Sequence, residues 1–305
     1  MQNLKFLITL FFIWSALMPA FSADETERKG YVRIEYNFGM PDLSFGDNNS
    51  YDLSLGAENN SSLGITAGYK DFVLGVDTDT VFGGETVLRD IFISWFGESL
   101  GIELFYQSFK DYYIEDGNLN KKYPGPNEYP DMRIMNTGIS CYYFFRQNTY
   151  RNISRQDEGL LENGWSPYLK LSAGRFSVDN DESIIPAADR PQFEPDAGNF
   201  NRYHSWQAFL SAGISGTLAL SRFYITAIVS LGAGGEYNRH SVPGGSYKKD
   251  INFIPDFDYQ MAAGYIGKDF FTGFSALNEN QFGRIDDLYI QLMNLQASCF
   301  AGVFF

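Results

Sequence analysis

Two neighbouring stretches of this sequence alternate apolar residues with small or polar ones over more than ten positions each. In residues 205–217, Trp206, Leu210 and Ile214 fall on one side of an extended chain, and mostly serine, glycine and glutamine fall on the other. Residues 221–234 repeat the pattern. A period of two predicts strands with one apolar face. That face must be covered, by a second sheet in water or by lipid in a membrane.

The aromatic content favours the membrane alternative. Aromatic residues make up 17% of the chain, glycine occurs 30 times, and the mean hydropathy is only −0.23. Aromatic enrichment favours strands. A membrane β-barrel needs aromatic girdles at both interfaces and small or polar residues facing its lumen.

Residues 1–22 have the pattern of a secretory signal peptide. Lys5 precedes an apolar run from Phe6 to Leu17, and the triplet Ala20-Phe21-Ser22 predicts cleavage after Ser22, with Ala23 as an alternative. No later stretch approaches the roughly 20 apolar residues of a spanning helix. The net charge of −14 makes nucleic acid an improbable partner. Cys141 and Cys299, the two cysteines of the sequence, are predicted to be free thiols.

Twelve segments have the alternation and length of membrane-crossing strands. They are 50–57, 61–70, 72–79, 87–96, 100–109, 132–145, 165–176, 204–217, 221–235, 256–267, 270–277 and 287–305. Short connections alternate with longer ones, as expected when short turns lie in the periplasm and long loops lie outside. We therefore predict an all-β fold, a closed antiparallel transmembrane β-barrel of about 12 strands over residues 50–305. Residues 23–49 are predicted to be an N-terminal extension outside the sheet, although "GYVRIEYNFG" alternates like a strand.

The connection 146–164 breaks this alternation because it is long and charged on the side where a short turn is expected. Its candidate binding residues are Arg146, Arg151, Arg155, Asp157 and Glu158. One interpretation is a solvated periplasmic loop or short helix. The other is a segment that enters the lumen, where it constricts a pore or holds a polar ligand through charge-assisted hydrogen bonds.

Catalytic and metal-binding patterns are weak. His204 and His240 are predicted at the external rim, near Ser205, Ser241, Asp189 and Asp196, but no local catalytic motif surrounds them. The acidic loop residues lack the spacing of a calcium loop. We predict no catalytic residues, no metal and no cofactor.

Four stretches carry a family resemblance. They are "FKDYYIEDG" (109–117), "RIMNTGISCYYFF" (133–145), "SRQDEGLLENGWSPYLKLSAG" (154–174) and "AAGYIGKDFFTGFSA" (262–276). In this order they resemble the bacterial family known as domain of unknown function 4421. The resemblance implies an exported outer-membrane barrel in a diderm bacterium and carries no assigned activity.

The chain ends in "ASCFAGVFF", in which Ala301 and Val303 share an apolar face and Phe305 is the last residue. This ending resembles the signal read by the outer-membrane assembly machinery, so that machinery and outer-membrane lipid are the expected partners. The expected function is a passive narrow channel, or a structural or binding barrel, for an unknown solute. The alternative is an outer-membrane enzyme that acts on lipid or surface glycan through a site containing His204 and His240.

Overall fold

The computed structural model describes residues 30–46, 52–57, 61–79, 88–114, 128–146, 163–187, 190–192, 195–243, 245 and 248–305. These residues form thirteen strands, one turn of 3-10 helix and one short α-helix. The strands are β1 (Gly30–Gly46), β2 (Asp52–Ala57), β3 (Ser61–Tyr69), β4 (Phe72–Asp79), β5 (Leu88–Phe96), β6 (Leu100–Ile114), β7 (Glu128–Phe144), β8 (Gly164–Asp179), β9 (Arg202–Leu220), β10 (Phe223–Ser241), β11 (Lys248–Ile266), β12 (Phe270–Ile285) and β13 (Leu288–Phe304). The 3-10 turn is Arg190–Gln192 and the helix, α1, is Pro195–Asn199. No helix in these ranges has the length and apolar composition needed to cross a membrane.

The strands close into an antiparallel barrel. β1 pairs with β13 from Tyr31 opposite Phe304 to Gly46 opposite Tyr289. At the end of this seam the Gly30 amide donates to the Phe305 carbonyl at 3.1 Å, and the Phe305 amide donates back at 3.0 Å. The ring that starts at β1, passes to β3 and runs through β13 contains twelve of the described strands. The predicted closed twelve-stranded barrel is confirmed.

The N-terminal boundary of the barrel differs from the prediction. Residues 30–46, predicted to lie outside the sheet, form the strand that closes the ring. Without β1, the β13 backbone would face lipid unpaired, which costs several kcal/mol for each unsatisfied group. Residues 50–57 do not add a separate stave, because β2 and β3 lie end to end along the same edge of β1. The ring gains β1 and loses β2 relative to the prediction, so it still contains twelve strands.

β2 also changes the wall at one end of the barrel. Its residues Leu55 to Ala57 pair with Ile114 to Tyr112 of β6. The short strands β4 and β5 are therefore bypassed at this level, and β1, β2 and β6 continue the wall there.

The two faces of each strand follow the predicted alternation. On β9 and β10, Leu210 and Leu231 point outward and are more than 60% exposed, while Ser211 and Ser230 point inward and are buried. The same division holds on β13. Cys141 and Cys299 are free and lie on the outer surface. An apolar exterior on a closed barrel is suited to lipid.

The ends of the barrel differ in their connections. Four tight turns, at 70–71, 97–99, 221–222 and 267–269, lie at the end where Gly30 meets Phe305. Short turns mark the periplasmic side of such barrels, so we call this the periplasmic end. At the external end two connections are shorter than predicted: 242–247, and the Asp286–Asp287 turn. The strands there continue beyond the length that a membrane requires. Residues 1–22, predicted as a signal peptide, lie outside the described residues.

Candidate functional site

A polar chamber occupies the middle of the lumen. It consists of two adjoining cavities of about 100 Å³ and about 150 Å³. They share five lining residues, which are Glu103, Phe105, Gln260, Leu277 and Glu279. A single water needs roughly 10–15 Å³ of such space, so the chamber has room for several waters or one small solute.

Carboxyl groups dominate the described lining of the chamber. There are seven of them, namely Glu35, Asp77, Asp90, Glu103, Asp256, Asp258 and Glu279. The cationic groups in the same lining are Arg33 and Lys170. The chamber therefore offers a cation many more acceptors than it offers an anion donors.

The charge of Lys170 is held between two of these carboxylates. Its Nζ contacts Asp258 Oδ2 directly and lies 3.6 Å from Asp256 Oδ2. Ser211 Oγ donates to Asp256. Lys170 comes from β8, whereas both carboxylates come from β11, so this contact joins strands that are three apart around the ring.

A second polar network centres on Gln107. Its Nε2 donates to Glu279 Oε2 at 2.8 Å, and its Oε1 accepts from Asn136 Nδ2 at 3.0 Å. Close by, Glu103 accepts from Ser94 Oγ at 3.1 Å. Amide and hydroxyl donors thus hold each carboxylate in a fixed position.

The larger cavity has its own ordered acids. Glu35 accepts from Thr66 Oγ1 at 2.8 Å and lies 3.2 Å from the Arg33 guanidinium. Asp77 accepts from Asn37 Nδ2 at 2.7 Å and from Ser62 Oγ at 2.8 Å. The acids are spread around the wall, and within the described residues no three metal-ligating side chains converge on one point.

Aromatic residues close the chamber towards the periplasm. One buried cluster contains Tyr31, Ala262, Ile266, Tyr224, Phe271 and Phe300, with Phe304 packed against it. A second contains Phe96, Tyr142, Phe144, Tyr168 and Ile228. Phe271 lies 4.9 Å from Phe304 and 6.2 Å from Phe300, measured between ring centroids. These rings separate the polar chamber from the periplasmic end.

The connection between β8 and β9 closes the external end. Its described residues, 180–187, 190–192 and 195–201, are called the external cap below. Ile184, Ile185 and Phe200 are fully buried in it. They join a core formed by inward side chains of eight strands, and the ring of Phe200 meets that of Phe45 at 5.8 Å. Tyr129 OH donates to the Ile184 carbonyl at 3.0 Å.

The tip of the β12–β13 hairpin completes this closure. β12 stops pairing with β11 beyond Glu279 opposite Asp258, but it continues to pair with β13 up to Ile285. Inward side chains of β9, three strands away, meet it: Gln207 Nε2 donates to the Phe282 carbonyl at 2.7 Å, and Tyr203 lies against Gly283. The hairpin tip therefore leans across the lumen beneath the cap.

The predicted binding residues of 146–164 are mostly outside the described residues; this applies to Arg151, Arg155, Asp157 and Glu158. Arg146 is described and exposed, and its guanidinium lies 4.2 Å from the ring of Trp165 on the outer surface. The chamber residues Lys170, Asp256, Asp258 and Glu279 were not predicted from the sequence. The sequence signal that could have found them is a charged residue at an inward position of a strand whose outward positions are mostly apolar.

His204 faces outward at the external end of β9. Its Nε2 donates to Asp179 Oδ1 at 2.8 Å, and its Nδ1 lies 2.6 Å from Arg175 Nη2, a donor. Ser177 is directly opposite on β8. Both ring nitrogens are engaged, so neither is available to Ser177, whereas a nucleophile must hydrogen-bond to its base. The predicted partner Ser205 bonds instead to the Phe176 carbonyl.

His240 points inward and is buried near the external cap. Its Nδ1 lies 3.8 Å from Asp250 Oδ2. Burial disfavours the charged form and lowers the pKa of His240, against the opposing influence of Asp250 and Asp286. The predicted partner Ser241 lies near Asn201, 3.3 Å from its side-chain oxygen. Asp189 and the side chain of Asp196 lie outside the described residues.

The predicted assembly residues lie at the closing seam. Ala301 and Val303 face outward on β13, and Phe305 pairs with Gly30 through the backbone. Their role in assembly stays a prediction.

Comparison with known proteins identifies a family and a set of similar barrels. The family model described as "Domain of unknown function (DUF4421)" matches residues 24–305. No curated protein matches the chain. The outer membrane protease OmpT from Escherichia coli is 9% identical with a TM-score of 0.41, over 92% of this chain and 98% of that one. The beta domain of the Bordetella autotransporter BrkA is 11% identical with a TM-score of 0.42, over 91% and 99%. The P. putida toluene transporter TodX is 8% identical with a TM-score of 0.31, over 92% of this chain and 91% of that one. Similarities this weak carry no argument about activity.

Proposed function

This chain belongs to the DUF4421 family, and we propose that it is a normally closed outer-membrane barrel whose acidic chamber binds small cationic solutes when the external cap is displaced. A closed barrel with an apolar exterior is the architecture of bacterial outer-membrane proteins, and the chain is an outer-membrane protein of a diderm bacterium. Of the two passive functions expected from the sequence, a binding barrel fits the structure better than an open channel.

One observation carries this proposal: apolar layers lie on both sides of the polar chamber. On the periplasmic side the layer is aromatic, with Phe271 and Phe144 fully buried. On the external side it is the core around Phe200 and Ile184. Hydrophobic constrictions stop conduction by excluding water. The described residues therefore support a closed resting state.

The preference for cations follows from the lining of the chamber. Seven carboxyl groups face two cationic groups there, and rings of acidic side chains favour cations in pores. The carboxylates already bound by Lys170 and by amide donors remain in place when a solute enters, so the site is preorganised.

We do not propose an enzyme. The arrangement around His204 supports this, because Arg175 and Asp179 occupy both ring nitrogens and leave Ser177 without a base. His240 has Asp250 at 3.8 Å, and its side chain is buried within the external closure.

Removal of the cap is the direct test. The Asn180 amide donates to the Asn201 carbonyl at 2.9 Å, so a short Gly-Ser linker can replace residues 181–200 without stretching the barrel. In liposomes loaded with potassium chloride, wild-type protein should release little salt. Because the periplasmic aromatic layer also closes the lumen, the linker is combined with F271A, which truncates a fully buried ring of that layer. This linker variant should release potassium faster than chloride. Rapid release through the wild-type protein, equal to that of the variant, would contradict the proposal; heat-modifiable migration on gels verifies that both barrels are folded.

A further inference from the structure

The outer surface carries a cluster of cations just beyond the external edge of the apolar belt. We call it the external basic band, and it consists of Lys110, Arg133, Arg175, Arg202, Arg239 and Lys249. These residues lie on six consecutive strands, β6 to β11, at outward positions. The described carboxylates at outward strand positions in the same region are Asp131 and Asp179, and Asp111 lies at the bulge of β6 next to Lys110. This surface is therefore positive in a chain whose net charge is −14.

Aromatic side chains at the membrane edge hold three of these arginines. Arg133 Nη2 donates to Tyr106 OH at 3.1 Å. The Arg239 guanidinium lies 5.7 Å from the ring centroid of Tyr237. The third is Arg175, 6.0 Å from the ring centroid of Trp206. Aromatic residues of this kind sit at the headgroup level of a bilayer, so the guanidinium groups are fixed at the depth of lipid headgroups.

The band contains like charges placed directly opposite each other. Lys110 is the cross-strand partner of Arg133, and Arg239 is the cross-strand partner of Lys249. Directly opposed like charges on one face of a sheet are destabilising. An anion lying between the two cations of such a pair would remove that repulsion.

The centre of the band is arranged as a donor set. Asp179 and His204 are joined at 2.8 Å, and Arg175 donates to the other ring nitrogen of His204 at 2.6 Å. One of the two outward carboxylates is thus engaged within the band. Asp179 is the cross-strand partner of Arg133, but the Arg133 guanidinium forms no ion pair with it. Among the described residues the Arg239 guanidinium forms no ion pair with a carboxylate either.

We propose that the external basic band binds the phosphate groups of an anionic lipid in the outer leaflet. The chemistry is that of guanidinium and phosphate, which form charge-assisted and often bidentate hydrogen bonds. The band adjoins the apolar belt at Trp206 and Leu210, both more than 60% exposed. A molecule bound here can therefore insert acyl chains along the belt while its phosphates meet the arginines. This continuity favours a lipid over a soluble phosphate compound.

The periplasmic edge of the barrel lacks such a cluster among its described residues. Its cations lie one to a turn, at Lys70, Arg222 and Lys268, with Arg146 beside Trp165. None of these is cross-strand partner to another described cation in the strand register. The proposed lipid site is therefore specific to the external leaflet.

The test measures lipid binding to purified full-length protein in a neutral detergent. The probe is diphosphoryl lipid A, and bound lipid is counted by native mass spectrometry. Phosphate-free lipid A and inorganic phosphate are the comparison probes. Each cation near an anionic surface changes binding by about fivefold. The double variant R133Q/R239Q should therefore bind diphosphoryl lipid A roughly 25-fold more weakly than wild type, and R222Q, at the opposite edge, should bind it normally.

Three outcomes would overturn the proposal. The first is equal binding of diphosphoryl lipid A by wild type and R133Q/R239Q. The second is equal binding of phosphorylated and phosphate-free lipid A by wild type. The third is displacement of the lipid by inorganic phosphate at similar concentration, which would indicate a soluble ligand. If the double variant does not fold, R239Q alone serves, because removing one of two opposed like charges does not destabilise the sheet. For R239Q, the rise in melting temperature on adding diphosphoryl lipid A should be smaller than for wild type, and an equal rise would count against the site.

Discussion

Phe200 holds the external cap in the barrel, and its truncation to alanine should unseat the cap. The ring is fully buried and packs on Phe45. Phenylalanine-to-alanine changes in such cores cost about 3–5 kcal/mol. If the ring leaves the core when the cap opens, the substitution destabilises the closed state and leaves the free energy of the open state unchanged. Each 1.4 kcal/mol is a factor of ten, so the open population should rise by at least about 100-fold.

A cysteine inside the chamber reports this population. S172C places a thiol in the smaller cavity, in a background where Cys141 and Cys299, both on the outer surface, are serine. A cationic thiol reagent added from outside labels it at a rate proportional to the open population, provided that closing is faster than labelling. F200A should label at least about 100-fold faster than its parent.

The matched control is F274A, which deletes the same ring from the lipid face, where Phe274 is 67% exposed. Its labelling rate should equal that of the parent. An unchanged rate in F200A, with the barrel shown to be folded by heat-modifiable migration, would mean that the cap does not control entry to the chamber.

Three further predictions concern the wall of the barrel. K170M leaves Asp256 and Asp258 without their cation. Loss of one partner of a buried ion pair lowers the free energy of unfolding by about 3–5 kcal/mol. The midpoint of urea unfolding should therefore fall, while the slope of the unfolding free energy against urea concentration stays the same. The pKa of His240 is lowered in the folded state, so near this pKa the unfolded chain binds more protons than the folded chain. Stability should therefore fall as the pH drops from 7 through the ordinary histidine pKa of about 6.5. In H240Q this part of the pH dependence of the melting temperature should vanish, and a wild-type melting temperature that rises on acidification would contradict the assignment. Deletion of Phe305 removes the last two backbone hydrogen bonds of the seam, and F305D replaces the terminal ring with a charge. Both changes should reduce the amount of heat-modifiable barrel in membrane fractions, and normal insertion would argue against the assembly role.

Periodicity was sufficient to predict which face of each central strand meets lipid. In β9 and β10 every second residue from Trp206 to Ile214 and from Phe223 to Leu231 is exposed as predicted. The faces are recoverable because a one-residue slip would turn every apolar side chain inward.

β1 was missed because its second half resembles a linker. Pro41 suggested a break, since proline cannot donate a ladder hydrogen bond. The structure places Pro41 between the segment of β1 that pairs with β3, which ends at Phe38, and the segment that pairs with β2, which begins at Asp42. On that side of the strand none of the described residues pairs with residues 39–41, and a proline is tolerated there.

The chamber could not be predicted from local pattern. Lys170 meets Asp258 across 88 positions of sequence, and a contact of this kind depends on the stagger of the strands around the ring. Alternation shows that both side chains point inward, but not that they lie at the same height.

The conductance of wild-type protein in a planar bilayer shows whether both ends of the barrel are closed. We expect a silent membrane interrupted only by rare, brief, cation-selective openings. A steady ohmic current through folded wild-type protein, without selectivity for cations, would contradict it.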